Sequence, residues 1–239
     1  MQYRYVKAYP KRTFVVPAII SYVSMGLGVV VLVWTAWPIF SFTIARDAFY
    51  AGILSPVEDA KAPNHAAIFS PVALAAPGAE AVDYSNANVW FPASPQKKVV
   101  TPVNSYMLSI PKLKINDATV VISGDDLAKG LVHYGGTGLP GDYGSAVIFG
   151  HSALPQFYNP KNYKSIFSTL PTLTIGDEIF VTYDGMQYRY VVEEMIVTKP
   201  TDLSPLEQRY DDSYLTLITC VPPGTYWERL NVRARLAKI

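Results

Sequence analysis

Between Arg12 and Arg46 the chain carries no charged residue. Inside that gap, Phe14 to Trp37 reads FVVPAIISYVSMGLGVVVLVWTAW, 24 positions broken by little more than Ser, Gly and one Pro. As a helix this run spans about 36 Å at about 1.5 Å per residue, enough to cross the hydrocarbon core of a bilayer with some tilt. Pro17 falls in the first turn, where a missing N–H costs little. Trp34 and Trp37 lie near one end, where indoles favour the interface. Arg4, Lys7, Lys11 and Arg12 precede the run, whereas Arg46 and Asp47 after it nearly cancel. The asymmetry predicts a cytoplasmic N-terminus over residues 1–13, a single transmembrane anchor over 14–37, and everything beyond it outside the cell membrane. A cleaved signal sequence would carry an apolar region of only ~7–15 residues, so a retained anchor is expected.

With 239 residues, 16% charged side chains and a net charge of +1, the chain lacks the basic footprint of a nucleic-acid binder. Its one cysteine, Cys220, rules out an internal disulfide. A lone thiol in an extracytoplasmic domain is either a small buried apolar group or a reactive one. No cluster has metal-ligand spacing and no glycine loop is built for phosphate, so neither metal nor cofactor is expected. Asp125, Asp126, Asp177, Asp211 and Asp212 are read as solvated turn residues rather than as a calcium site.

Residues 38–100 read as a Pro/Ala-rich tether. Pro56, Pro63, Pro71, Pro77, Pro92 and Pro95 punctuate it, and no sustained period of 2 or 3.6 runs through it. Val89-Trp90-Phe91 is an apolar exception that could dock on a folded domain. From Thr101 to Ile239 the texture changes to short β-branched and aromatic runs bounded by Gly, Pro, Asn and Asp. These predict strands at 106–110, 119–122, 146–149, 178–183, 187–198, 214–219 and 229–236. Asp184-Gly185 between two of them is a hairpin signal. Helix is expected only over Asp125–Val132 and in a turn near Ser204–Gln208. The class is therefore mainly β, a closed barrel or a sandwich with short helices behind one membrane helix. In the last strand Leu230, Val232, Ala234 and Leu236 alternate with Arg229, Asn231, Arg233 and Arg235, giving one apolar and one cationic face. A row of this kind is usually solvated.

The segment TLITC at 216–220 reads as a strand that VPPG at 221–224 must end, which sets Cys220 at a strand terminus. GSAVIFGHS at 144–152 likewise leaves His151 at the end of an apolar run. His133, before a Gly-rich turn, is a weaker candidate, and His65 lies in the tether. Taken singly, a buried cysteine and a capped histidine are the plainer readings. The joint pattern resembles the sortase family, through IPKLKI at 110–115, LAKGLVHYGGTGLPGDYGSAVIFGHS at 127–152, TIGDEIFV at 174–181, and TLITC followed by Arg229 nine positions later. The surroundings of Cys220 look closest to classes C and D, although the tether has no Asp-Pro-aromatic lid motif of the kind class C often carries.

The resemblance implies an eight-stranded β-barrel peptide transpeptidase with Cys220 as nucleophile, His151 as acid/base and Arg229 as the oxyanion-side arginine. Arg233 is the rival to Arg229. These residue types suit the chemistry. A thiolate stores an acyl group as a thioester, an imidazole moves the proton of the leaving and entering amines, and a guanidinium supplies fixed donors and charge. Thr219 is expected to bind substrate or orient the nucleophile. The expected partners are a surface-protein sorting signal of the LPxTG type and an amine acceptor, either a peptidoglycan precursor or a pilin lysine. A thiol endopeptidase using the same site, and a non-catalytic membrane-tethered binding module, are the alternatives.

Overall fold

Alternating β-branched and aromatic residues set the strands of the computed structural model, which describes residues 15–50, 83–99 and 101–237. Most of the expected tether, with His65, and the basic N-terminal flank lie outside the described residues. The strands are β1 (Ser105–Ile110), β2 (Ile115–Ile122), β3 (Leu131–His133), β4 (Gly144–Phe149), β5 (Glu178–Tyr183), β6 (Met186–Thr198), β7 (Ser213–Val221) and β8 (Glu228–Leu236). They close into a barrel in the order β1-β2-β3-β4-β7-β8-β6-β5. Tyr106, Leu108 and Ile110 of β1 are buried while Ser105 and Met107 are exposed, as a period of two requires. The same alternation fills the interior with Val120, Ile148, Leu215, Leu217, Leu230 and Val232. Between β5 and β6, Asp184 and Gly185 have φ of 48° and 74°, the doubly left-handed turn that this dipeptide favours.

The expected helix over Asp125–Val132 is absent. The Asp126 carboxylate accepts the backbone N–H of Ala128 at 2.9 Å, which closes a local turn instead of starting a helix. Leu131, Val132 and His133 then run extended because partner strands flank them, β2 in parallel and β4 antiparallel. The expected turn near Ser204–Gln208 is one 3-10 turn, Ser204–Leu206.

A single helix, α1, covers Val15–Tyr50, longer than the apolar run that predicts it. Its stretch Ile19–Ile44 is long and apolar enough to cross a membrane. The helix continues through Pro38, whose missing N–H leaves the Trp34 carbonyl without its helical donor. Gln156 Nε2 donates to that carbonyl at 2.9 Å.

Residues 83–99 pack over the outside of the barrel, and Val89-Trp90-Phe91 docks as its composition suggests, with Trp90 and Phe91 wholly buried. Backbone bonds from Ala87 N–H to Asp125 and from Leu127 N–H to Ser85 fix the segment, as does a Gln96 side chain that donates to Gly124 and accepts from Gly135. Beneath it lies a second apolar cluster formed by the outward residues Val147 and Phe149 of β4 and Ile218 and Cys220 of β7. Strand β7 is consequently buried on both faces throughout its length.

On the inward side of β3, His133 is 1% exposed, with Nδ1 bonded to the Tyr106 hydroxyl at 2.8 Å and Nε2 to Thr137 Oγ1 at 3.3 Å. Burial holds this imidazole down to about 4 from its usual 6.5. The unfolded chain therefore takes up the proton first. The stability that the neutral ring lends is complete above about pH 6.5 and drains as the pH falls toward 4, by about 3 kcal/mol. Urea midpoints at pH 7.5 and 4.5 should fall apart accordingly, and His133→Gln should flatten that difference.

Candidate active site

Three neighbouring strands deliver the expected trio to one end of the barrel. β4 and β7 run parallel in a register that sets Phe149 opposite Ile218, and Gly150 N–H still donates to the Ile218 carbonyl at 3.1 Å. Continuing that register by two residues brings His151 abreast of Cys220. β8 returns antiparallel, with Arg229 directly paired to Cys220. Alternation then decides the face. Leu217 and Val221 point into the barrel, so Cys220 points out with Ile218, and Arg229 points out because Leu230 points in.

Small groups hold this corner. A Cβ on Gly150 would lie 2.4 Å from the Phe167 ring and 2.7 Å from Leu131, so only glycine lets the chain pass there before His151. Ser152 Oγ donates to the Cys220 carbonyl at 2.6 Å. Thr219, expected at the substrate, is wholly buried on the opposite side of its strand from Cys220. Its hydroxyl donates to the Gly150 carbonyl at 2.8 Å, so it ties the strand carrying Cys220 to the residue preceding His151. After Cys220 the chain turns through Pro222 and Pro223 to Gly224, at φ 86°.

Arg229 is 1% exposed, against expectation for a cationic row. Its Nη1 donates to the carbonyls of Tyr226 at 3.1 Å and Glu228 at 3.3 Å, and its buried Nε has no partner. Among the described residues no carboxylate forms an ion pair with it. Arg233, its rival, sits four residues further along β8 and is ion-paired to Glu194 at 2.8 Å. The outward cationic row thus divides into a buried, free-ended arginine beside the cysteine and a neutralised one away from it.

Cys220 is 1% exposed and His151 8%. Burial pushes the thiol up to about 11, an effect that the neighbouring Arg229 charge opposes. Burial also lowers the His151 pKa, and Lys164 adds to this while Asp83 and Asp126 work against it. Both groups are therefore neutral near pH 7. A groove of about 750 Å³ opens beside His151, walled by Tyr84, Leu154, Phe157, Lys164 and Tyr226. Tyr84 and Tyr226 stack face to face across it, 4.0 Å between centroids, and the Tyr226 phenol lies within electrostatic reach of Cys220.

Sequence reasoning missed Asp83-Tyr84, Trp90's place and Tyr226 as parts of this site. The apolar cluster at 89–91 was the one visible signal. The weaker candidate His133 lies outside the groove, in the Tyr106 network. Asp126, Asp177 and Asp211 are separately paired with Lys129, Lys112 and Arg209.

A sortase-domain family profile matches residues 108–237. Among solved structures the chain is similar to sortase C1 of Streptococcus agalactiae at 26% identity and a TM-score of 0.52, covering 62% of this chain and 78% of that one. It is similar to sortase C-1 of Actinomyces oris at 28% identity and 0.50, covering 59% and 76%. A lid mutant of sortase A from Corynebacterium diphtheriae gives 28% and 0.50, covering 59% and 73%. No curated protein matches the sequence.

The buried thiol has a measurable signature. Alkylation of Cys220 by iodoacetamide should keep rising about tenfold per pH unit from pH 7 to 10, whereas an ordinary thiol levels off above ~8.5. Arg229→Gln should slow it further at every pH, because the cation that favours the thiolate is gone. A plateau below pH 9 in the unmodified protein would contradict the burial argument.

Proposed function

The chain belongs to the sortase family of cysteine transpeptidases, and from that premise we propose that it cleaves an LPxTG-like sorting signal and passes the acyl fragment to an amine. The observation that carries the reading is the direct pairing of Cys220 with a buried arginine that has no acidic partner among the described residues, at the strand end where His151 also arrives.

The starting state is a neutral thiol and a neutral imidazole. As the peptide carbonyl approaches, the Cys220 proton passes to His151 and sulfur bonds to the carbonyl carbon. The resulting oxyanion develops beside Arg229, whose charge is not paired with a carboxylate of the described residues. His151 returns the proton to the departing amine as the C–N bond breaks, which leaves a thioester on Cys220. The acceptor amine then attacks that thioester and loses its proton to His151, and the thiol is restored. Thr219 acts only by tying the two strands together. The acceptor is a peptidoglycan precursor amine or a pilin lysine.

The helix at Ile19–Ile44 fits a single-pass anchor. We place its N-terminus in the cytoplasm and the barrel outside, where membrane-bound substrates emerge, with residues 38–100 as the connection.

With the full chain in detergent and a panel of LPxTG-type peptides, mass spectrometry should show a thioester at Cys220, and Cys220→Ala should abolish it. Adding a Gly-Gly or lysine-side-chain amine should convert hydrolysed product into ligated product. Hydrolysis unchanged by amine would favour the thiol endopeptidase. Arg229→Lys should lower acylation by about 10²–10³, the usual effect of losing an oxyanion donor, with a smaller change in KM.

A further inference from the structure

Trp90 belongs to the segment that precedes the barrel, yet its indole lies against both partners of Cys220. The Arg229 guanidinium carbon sits 5.2 Å over the indole centroid, and the His151 ring meets the indole edge-on at 5.9 Å. Four contacts in all fix the ring. Nε1 donates to the Tyr84 carbonyl at 2.9 Å, and the opposite face stacks on Phe149 with centroids 5.4 Å apart and planes 13° apart. Trp90 is wholly buried, in the same apolar cluster as Cys220.

Arg229 needs such a support. Its guanidinium is buried, its Nε is unpartnered, and its two carbonyl contacts both use Nη1 and come from its own chain neighbourhood. Nothing among these bonds fixes the plane of the group against rotation. An aromatic face does, because the negative quadrupole attracts the cation and the flat ring selects a parallel approach. The same ring walls the imidazole, so the separation of cation and acid/base is set by one rigid side chain.

We infer that Trp90 is a positioning residue for the transpeptidase reaction, holding Arg229 by cation–π contact and His151 by its edge; the inference rests on the reading of Cys220, His151 and Arg229 as the catalytic set. It places part of the active site outside the barrel, in a segment that otherwise looks like a connection.

The test compares Trp90→Phe and Trp90→Leu in the full chain. Phe keeps a π face, while Leu keeps apolar bulk without one. Acylation by a sorting-signal peptide should fall within about threefold for Phe and by roughly 10- to 30-fold for Leu, in kcat rather than KM, with each variant assayed well below its own thermal midpoint. In the double variant with Arg229→Lys, the Leu effect should largely vanish, since the guanidinium it supports is already gone. Iodoacetamide supplies a readout that needs no peptide. Trp90→Leu should slow Cys220 alkylation at pH 8 by about 3- to 10-fold, in the same direction as Arg229→Gln, because a displaced cation favours the thiolate less. Faster alkylation, or equal losses for Phe and Leu, would show that the indole only fills space and would overturn the inference. A parent enzyme that forms no thioester at all, while alkylation still responds to Trp90 and Arg229 together, would instead strike the sorting-signal reading and leave the positioning role standing.

Discussion

The register of β7 against its two neighbours is the constraint on which the site depends. Side chains along a strand alternate strictly, so a slip of one residue would turn Cys220 into the barrel and Thr219 outward. The interior packing of Leu215, Leu217 and Val221 opposes such a slip, because each would have to leave the core. The parallel pairing with β4 and the antiparallel pairing with β8 then translate that one register into two further placements, His151 on one side and Arg229 on the other. Residues remote in the chain meet because three strand ends coincide at the same edge.

Much of this was legible in the sequence where local chemistry decides the outcome. Alternation marked the long strands, Asp184-Gly185 marked its hairpin, and prolines after Cys220 marked a strand end. β3 was not legible, since three residues have no periodicity and their extended form is imposed by β2 and β4. The burial of Arg229 on the cationic face of β8 was not legible for a similar reason. Arg235 and Arg233 do pair with Glu193 and Glu194 near the surface, as a solvated row should. Arg229 differs only because residues 83–99 cover that end of the strand, and no property of β8 itself announces the cover. The side that Thr219 takes was legible. Its neighbour Cys220 faces outward, so alternation alone sends Thr219 to the other side.

Burying Arg229 with no ion pair among the described residues is costly, several kcal/mol for an unsupported charge. Two carbonyls and an indole face offset part of that cost, and none of them neutralises the group. A carboxylate in their place would have stabilised the fold more, but it would have cancelled the field at Cys220. The arrangement therefore keeps a positive potential in a corner where the thiol and the imidazole are both uncharged. That potential favours negative charge that forms beside it, on the Cys220 sulfur first of all.

The cover itself has a strong end and a weak end. Trp90 and Phe91 are wholly buried, and removing a Phe or Trp of this kind from a core costs about 3–5 kcal/mol. At the other end the side chains of Tyr84 and Tyr226 meet in a stack worth about 0.5–1.5 kcal/mol, and Tyr226 is 44% exposed. Cys220 at 1% exposure cannot meet a peptide carbonyl until some part of its surroundings gives way. Of these contacts the tyrosine stack is the smallest loss for an arriving peptide to repay.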